Sequence, residues 1–161
     1  MNINLVISEK PAELDEFLDQ DEMGLPPFQF ALVELSQYID GYIKILFKNK
    51  LSIVLDLFSD FMICFDNIID SINAAKSSNA KREEIWFCEQ GSDFYLFYEV
   101  KEKTIHLTFK KGKSIGIVNK DTPDFHVEVD TLEYIKQWKD IFQKLDIIFE
   151  EKLHKKIPIT F

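Results

Sequence analysis

Residues 85–109 carry the pattern that decides the fold class, IWFCEQGSDFYLFYEVKEKTIHLTF. The segment is rich in β-branched and aromatic residues, and the polar pairs Gly91-Ser92 and Glu102-Lys103 interrupt it at hairpin spacing. Three antiparallel strands are therefore predicted here. Two further β-rich runs follow along the chain, so we predict a meander of about five strands, over residues 85–88, 94–100, 104–109, 114–118 and 125–129.

The second of these strands is unusual because residues 94–98 are all bulky, which places large side chains on both of its faces. A central strand that is covered on both sides explains this pattern. An exposed aromatic patch that binds a partner is the alternative. We favour the covered central strand.

A long helix is predicted after the meander. Asp130 and Glu133 have the spacing of a capping box. Apolar residues then recur at helical intervals as far as Leu153. Lysines in the last turn complement the helix dipole. The predicted helix covers residues 131–153.

The first 79 residues are predicted to be rich in helix. Residues 2–7 form a short predicted strand, and Ser8 is a plausible N-cap for a helix over residues 9–20. Residues 28–40 fit either a strand or a helix, and we favour the helix. Residues 42–47 are short and rich in β-forming types, which favours a strand.

Residues 51–72 leave two alternatives open. Their apolar residues recur at helical spacing, which favours one long helix with an acidic stripe on its opposite side. A strand over 51–57 followed by a helix from Ser59 is the alternative, because Ile53 and Leu57 are apolar as well.

Together these elements predict an α+β fold. Long helices from the N-terminal half and from the C-terminus pack against the antiparallel β-meander. The chain has 161 residues, no internal repeat and no Gly/Ser-rich or Pro-rich linker, so we predict a single domain. Its parts are an acidic, helix-rich segment over 1–79, the meander over 84–129 and the C-terminal helix over 131–153.

Charge is the most informative total. The chain has 28 acidic and 19 basic residues, a net charge of −9. Residues 1–79 hold 13 acids against 5 bases, and so carry −8 of this total. A field of this sign repels nucleic acid and anionic lipid and attracts cationic partners. We expect no nucleic-acid or membrane partner. With no apolar run long enough for a membrane span, no signal peptide and only two cysteines, we expect a reduced, cytoplasmic protein.

Known catalytic patterns are missing from the sequence. No phosphate-binding glycine motif, G-x-S-x-G or H-E-x-x-H can be written from it. Cys64 and Cys88 lie in apolar runs and are expected to act as small hydrophobic residues. We therefore predict no catalytic residue, no cofactor and no enzymatic activity.

The histidines are the remaining candidates for metal binding. His106 and His126 occupy outward positions of two predicted strands and become neighbours if those strands pair. With a carboxylate such as Glu128 they would form a minimal zinc or iron site. Solvent-facing histidines without a metal are the simpler interpretation, and no metal site is predicted.

Three features together resemble the small cytosolic immunity proteins that protect bacteria from contact-dependent and other polymorphic toxins. They are the acidic helical first half, the run Glu84–Phe94 and the closing strand and helix Phe125–Leu153. The likeness is one of size, charge and architecture. It implies that the protein binds one cognate toxin domain, often a nuclease, and blocks it by occlusion without catalysing a reaction.

Acidic residues are the predicted contacts for a basic toxin domain, because surface charge steers association. A cytosolic adaptor or chaperone that uses the apolar face of 51–72 or the aromatic strand is the alternative function. An enzyme built around His106 and His126 is a third. The predicted partner-binding residues are Glu13, Asp15, Glu16, Asp19, Asp21, Glu22, Asp56, Asp60 and Asp70.

Overall fold

Antiparallel strands dominate the computed structural model, which describes residues 1–11, 24–77, 82–89, 91–157 and 159. Two short irregular helical turns connect neighbouring elements, a 3-10 turn at Lys48–Lys50 and a π-helical turn at Leu57–Phe61. The described strands are β1 Asn2–Glu9, β2 Ile39–Leu46, β3 Ser52–Asp56, β4 Arg82–Phe87, β5 Phe94–Lys101, β6 Thr104–Lys111 and β7 Phe125–Asp130. The described helices are α1 Pro27–Leu35, α2 Phe65–Ser77 and α3 Thr131–Leu153.

The strands form two separate sheets, with strand orders β1-β2-β3 and β4-β5-β6-β7. Every neighbouring pair is antiparallel. The predicted α+β class with antiparallel strands is therefore confirmed. The single meander of five strands is wrong, because among the described residues the second half contributes four strands and the first half forms a sheet of its own. The long helices predicted for the N-terminal half are wrong as well, because the described helices there have 9 and 13 residues.

Residues 114–118, the fourth predicted strand, lie in turns and irregular chain. Gly112 lies just before this segment and Gly116 lies within it, and their backbone N–H groups bond to the loop between β4 and β5 instead of to a neighbouring strand. Residues 114–118 therefore connect two loops, and they form no ladder of hydrogen bonds with a described strand.

In the N-terminal segment, strand β1 continues to Glu9. Ser8 therefore lies inside a strand and pairs with Asp40, so the prediction that it caps a helix is wrong. Most of the predicted helix over 9–20 falls on residues 12–23, which lie outside the described residues.

The two ambiguous segments are now resolved. The helix predicted over 28–40 is present only as far as Leu35, where α1 ends; residues 36–38 form a turn, and Ile39 and Asp40 begin β2. For residues 51–72 the strand-then-helix alternative is confirmed and the single long helix is wrong. Strand β3 pairs with β2 and buries Ile53 and Leu55, so sheet pairing overrides the apolar helical spacing.

Helix α3 has the predicted bounds. Asp130 caps it, since its Oδ1 accepts hydrogen bonds of 3.0 Å from the backbone N–H groups of Leu132 and Glu133. Glu133 does not complete the capping box but contacts the amino group of Met1. At the other end of the helix, Nζ of Lys152 lies 2.6 Å from Oε1 of Glu9, and this ion pair links the helix to β1.

The inward faces of both sheets and the buried faces of the three helices contribute to one hydrophobic cluster. Its centre is aromatic, with rings of α3 packed against rings of α1, the π-helical turn and α2. None of the helices in the described ranges is both long and apolar enough to cross a membrane. The candidate functional sites lie on the outward faces of the two sheets.

Candidate functional site

A cleft of about 1100 Å³ lies over the outward face of the three-stranded sheet, and we call it the Asp60 cleft. One side is formed by β2, β3 and the π-helical turn. The other side is formed by two loops at one end of the four-stranded sheet. The lining residues are Asp40, Gly41, Tyr42, Lys44, Val54, Asp56, Phe58, Ser59, Asp60, Gly91, Ser92, Ile115, Gly116, Ile117, Val118 and Asn119.

Asp60 is the chemically distinctive residue of this cleft, because it is only 3% exposed. Its Oδ2 accepts a hydrogen bond of 3.0 Å from the backbone N–H of Asp56. Its Oδ1 has no hydrogen-bond partner among the described residues. Burial raises the pKa of Asp60; the nearby Ser92 hydroxyl and the Asp56 N–H lower it by less than burial raises it. The result is a desolvated carboxyl group beside the Ser92 side chain, and its Oδ1 is buried without a hydrogen bond to the described residues.

Asp56 lies next to Asp60 but has a structural task. Its Oδ1 accepts hydrogen bonds from the backbone N–H of Phe58 at 2.9 Å and of Ser59 at 2.8 Å. It therefore caps the π-helical turn, and this turn holds Asp60 in the cleft.

A close glycine contact builds the opposite wall. The backbone N–H of Gly116 donates to the carbonyl of Gly91, and a Cβ at position 116 would lie 2.1 Å from that oxygen. Gly91 has φ +89°, a conformation that side chains disfavour. Asp93 adds a second link, because its Oδ2 accepts from the N–H of Ser114 at 2.7 Å. These contacts fix residues 114–116 beside the loop that follows β4.

Asn119 fastens the same loop to the three-stranded sheet. Its Oδ1 accepts from the N–H of Val54 at 2.9 Å, and its Nδ2 donates to the carbonyl of Val54 at 2.8 Å. The side chain thus satisfies both backbone groups of Val54 at the outer edge of β3, where an unpaired strand edge would otherwise be left. Ile117 and Val118, just before it, are 89% and 70% exposed at the rim of the cleft.

The predicted acidic contacts are only partly brought together. Asp56 and Asp60 both line the Asp60 cleft, whereas Asp70 is exposed on α2 and lies outside it. The predicted acidic stripe is therefore wrong, because its three members occupy a strand, a π-helical turn and a helix instead of one helix face. Glu13, Asp15, Glu16, Asp19, Asp21 and Glu22 lie outside the described residues.

Several lining residues were missed by the sequence analysis. Asp40, Tyr42 and Lys44 alternate along β2 and point to its outward face. The predicted strand began at residue 42, three residues after the start of β2 at Ile39, so this alternation was not recognised. Ile117 and Val118 were assigned to a strand. Gly112 just before that segment and Gly116 within it were the signal against the assignment.

The histidine prediction is confirmed in its geometry. Strands β6 and β7 pair, and the rings of His106 and His126 lie 5.6 Å apart between centroids. Nδ1 of His106 is 3.5 Å from Oε1 of Glu128, and Nδ1 of His126 is 2.9 Å from the hydroxyl of Thr108. The three side chains share the outward face of the four-stranded sheet and none of them lines the Asp60 cleft.

Cys64 offers no activated thiolate. Cys64 is buried, and burial raises its pKa to about 12. Its Sγ lies 3.4 Å from the carbonyl oxygen of Trp86. Cys88 is exposed just after β4, contrary to its predicted place inside an apolar strand, and both thiols are free. A thiol protonated at neutral pH is a weak nucleophile.

Strand β5 lies inside its sheet, as predicted, but the prediction that both of its faces are covered is wrong for the described residues. Phe94 and its inward neighbours are buried, whereas Tyr95 and Phe97 remain half-buried on the outward face. Trp86 stacks on Tyr95 at 5.8 Å and is 52% exposed. This row of Trp86, Tyr95 and Phe97 is an open aromatic surface.

Comparison with protein-family models, curated proteins and solved structures found no match to this chain. The described lining of the Asp60 cleft includes neither histidine nor cysteine. The desolvated carboxyl group of Asp60, next to apolar side chains, is suited to receive a cationic group.

Proposed function

We propose that the protein is a non-enzymatic immunity protein, which binds a basic, nuclease-like domain of a cognate bacterial toxin in the cytosol and blocks it by occlusion. The observation that carries this proposal is the buried Asp60 carboxyl, whose Oδ1 has no hydrogen-bond partner in the part of the chain that the structure describes, in a cleft rimmed by exposed Ile117 and Val118.

The carboxyl group supports a cationic contact. A buried carboxyl without a full set of donors is costly, and a lysine or arginine side chain from a partner would supply both the donor and the opposite charge. Asp40 and Asp56 add acidic groups to the same lining, against the single base Lys44. The cleft therefore favours a basic segment over an acidic one.

The apolar rim supports a protein partner. Ile117 and Val118 are among the most exposed hydrophobic residues described, and half-buried Phe58 and exposed Tyr42 lie in the same lining. Protein interfaces combine such an apolar centre with charged groups at specific positions. A free lysine or a small cation would use the carboxyl group but leave these side chains in water.

The net charge of −9 supports fast association with a basic domain. The acidic residues Glu13, Asp15, Glu16, Asp19, Asp21 and Glu22 stay predicted contacts of this encounter. In this proposal they act on the association rate, whereas Asp60 acts on the lifetime of the complex.

The proposal predicts that a basic, toxic polypeptide is encoded beside the full chain, and its toxicity when expressed alone should disappear on co-expression with that chain. Asp60→Asn should raise the dissociation rate by about tenfold or more, because it removes the buried charge that faces the cation. Asp66→Asn, an exposed carboxylate on α2 outside the cleft, is the matched control and should change neither rate. Equal rates for the two variants would remove the cleft from the interface, and toxicity that persists on co-expression would refute the immunity function.

An adaptor or chaperone is the second candidate, and the open aromatic row of Trp86, Tyr95 and Phe97 favours it. Trp86→Ser should then abolish capture of a client protein at high salt, while Asp60→Asn has no effect. The opposite pattern supports the immunity function.

A further inference from the structure

A second potential site lies on the outward face of the four-stranded sheet. His126 and Glu128 are two residues apart on β7, so both side chains point to the same face. His106 on β6 is the direct register partner of Glu128, and Thr108 is the partner of His126. Paired strands thus hold two imidazoles and a carboxylate on adjacent positions of one surface.

The distances fit a first-row transition metal. One ligand atom of each residue, His106, His126 and Glu128, lies within 4.8 Å of the ligand atoms of the other two. Metal–ligand bonds of about 2.0–2.2 Å place tetrahedral ligands roughly 3.4 Å apart. The separation of 3.5 Å between His106 Nδ1 and Glu128 Oε1 already matches this edge. Bound Zn²⁺ would need the remaining ligand separations, which are at most 4.8 Å, to shorten to about 3.4 Å.

Thr108 orients one of the ligands. Its hydroxyl lies 2.9 Å from Nδ1 of His126. In the tautomer with the proton on Nδ1, His126 donates it to Thr108, and the lone pair on Nε2 is left for the metal. Metal-binding histidines commonly have such a partner on their second nitrogen.

The carboxylate next to these three residues, that of Glu99, is paired elsewhere and is not counted as a ligand. Glu99 on β5 faces His106 across the sheet but pairs with Lys101 at 2.9 Å, and that lysine lowers the pKa of Glu99. Three protein ligands therefore remain, and the exposure of His126 and Glu128 leaves the fourth position to solvent.

From this geometry we propose that His106, His126 and Glu128 form a surface site for Zn²⁺. Two imidazoles and one carboxylate are ligands that Zn²⁺ accepts readily, and three ligands with an open fourth position give a reversible site. The site shares no residue with the Asp60 cleft, so it stands independently of the proposed immunity function.

Titration of the purified full chain with Zn²⁺, in competition with a chromophoric chelator, tests the proposal. We expect one Zn²⁺ per chain at micromolar affinity. His106→Asn and His126→Asn should each weaken binding by about tenfold or more, and Glu128→Gln should also weaken it. His154→Asn is the matched control, because His154 is the third histidine and has φ +55°, which asparagine tolerates. Its affinity should equal that of the unchanged chain.

Co²⁺ substitution gives a second readout. A tetrahedral visible spectrum that disappears in His126→Asn supports the site, and Thr108→Val should reduce affinity without changing the stoichiometry. Circular dichroism confirms that each variant is folded. The proposal is overturned if no saturable binding occurs at micromolar Zn²⁺, since His106 and Glu128 then make only a cross-strand contact. It is also overturned if His154→Asn weakens binding as much as the other histidine variants.

Discussion

Asn119 connects the loop after β6 to the edge of β3, and its replacement tests how the Asp60 cleft is built. The side chain is 3% exposed and makes two hydrogen bonds to the backbone of Val54, at 2.9 and 2.8 Å. Asn119→Ala removes both bonds at once. It also leaves an N–H and a carbonyl of β3 without their partner, and releases the segment that carries Ile117 and Val118.

The magnitude follows from the number of bonds. A protein hydrogen bond contributes about 1 kcal/mol net, so two bonds to neutral backbone groups contribute about 2 kcal/mol. For a chain of this length, 1 kcal/mol corresponds to about 2–4 °C in Tm. Asn119→Ala should therefore lower the free energy of unfolding by about 2 kcal/mol and Tm by about 4–8 °C.

Two further variants separate the bonds from simple packing, with urea and thermal unfolding as the assays. Thr122→Val removes one bond from the same loop, that of the hydroxyl to the Ser52 carbonyl at 3.0 Å, and should cost about half as much. Asn119→Asp keeps the acceptor but loses the donor, so its stability should recover at acidic pH, where the carboxyl group regains a proton. A loss below about 0.5 kcal/mol for Asn119→Ala would refute the reasoning, because that is the range of an ordinary surface substitution.

Three other properties follow from the same structure. Burial raises the pKa of the Asp60 carboxyl above 3.8, so the folded chain binds the carboxyl proton more tightly than the unfolded chain does. The stability that this proton contributes is therefore lost as pH rises through the raised pKa. Urea midpoints measured across pH should vary less for Asp60→Asn than for the unchanged chain. Phe61 is fully buried, and Phe61→Ala should lower the free energy of unfolding by about 3–5 kcal/mol in urea denaturation, whereas a loss near 1 kcal/mol would contradict its central place. Cys88 is exposed, whereas burial raises the pKa of Cys64 to about 12. A thiol reagent at neutral pH should therefore label Cys88 quickly and Cys64 only on unfolding, and Cys88→Ser should remove the fast phase. Two fast phases in the unchanged chain would contradict the burial of Cys64.

Local signals explain what could be predicted from the sequence. Helix α3 was predicted with the correct bounds because its cap, its apolar spacing and its basic end lie within one continuous segment. The β5–β6 hairpin was predicted because the turn at Glu102 and Lys103 separates two β-rich runs; Glu102 adopts φ +54° there. In both cases neighbours in sequence supply the decisive interactions.

Pairing with other segments explains what was missed. The apolar residues of 51–57 fit a helix and a strand equally well, and β2 decides between them by pairing with β3. The segment 114–118 has β-forming residues, but its backbone bonds to Gly91 and the next residue, Asn119, bonds to Val54. These last two partners lie 25 and 65 residues away, so no local pattern could identify them.

The candidate sites show the same limit for chemistry. Asp56 and Asp60 are identical in type and four residues apart, yet one is an exposed cap with several donors and the other is buried with an oxygen that has no hydrogen-bond partner. Composition identified both as acids and could not rank them. The two carboxyl groups differ because Asp60 is desolvated in the cleft, whose opposite side is formed by two loops that contact each other at Gly91 and Gly116. The four-stranded sheet positions these loops. The histidines were easier to anticipate, because alternation along a strand fixes a face and only one pairing, β6 with β7, had to be assumed. A site made by one strand pairing is therefore predictable from sequence, whereas a site made by two loops and a buried turn requires the folded structure.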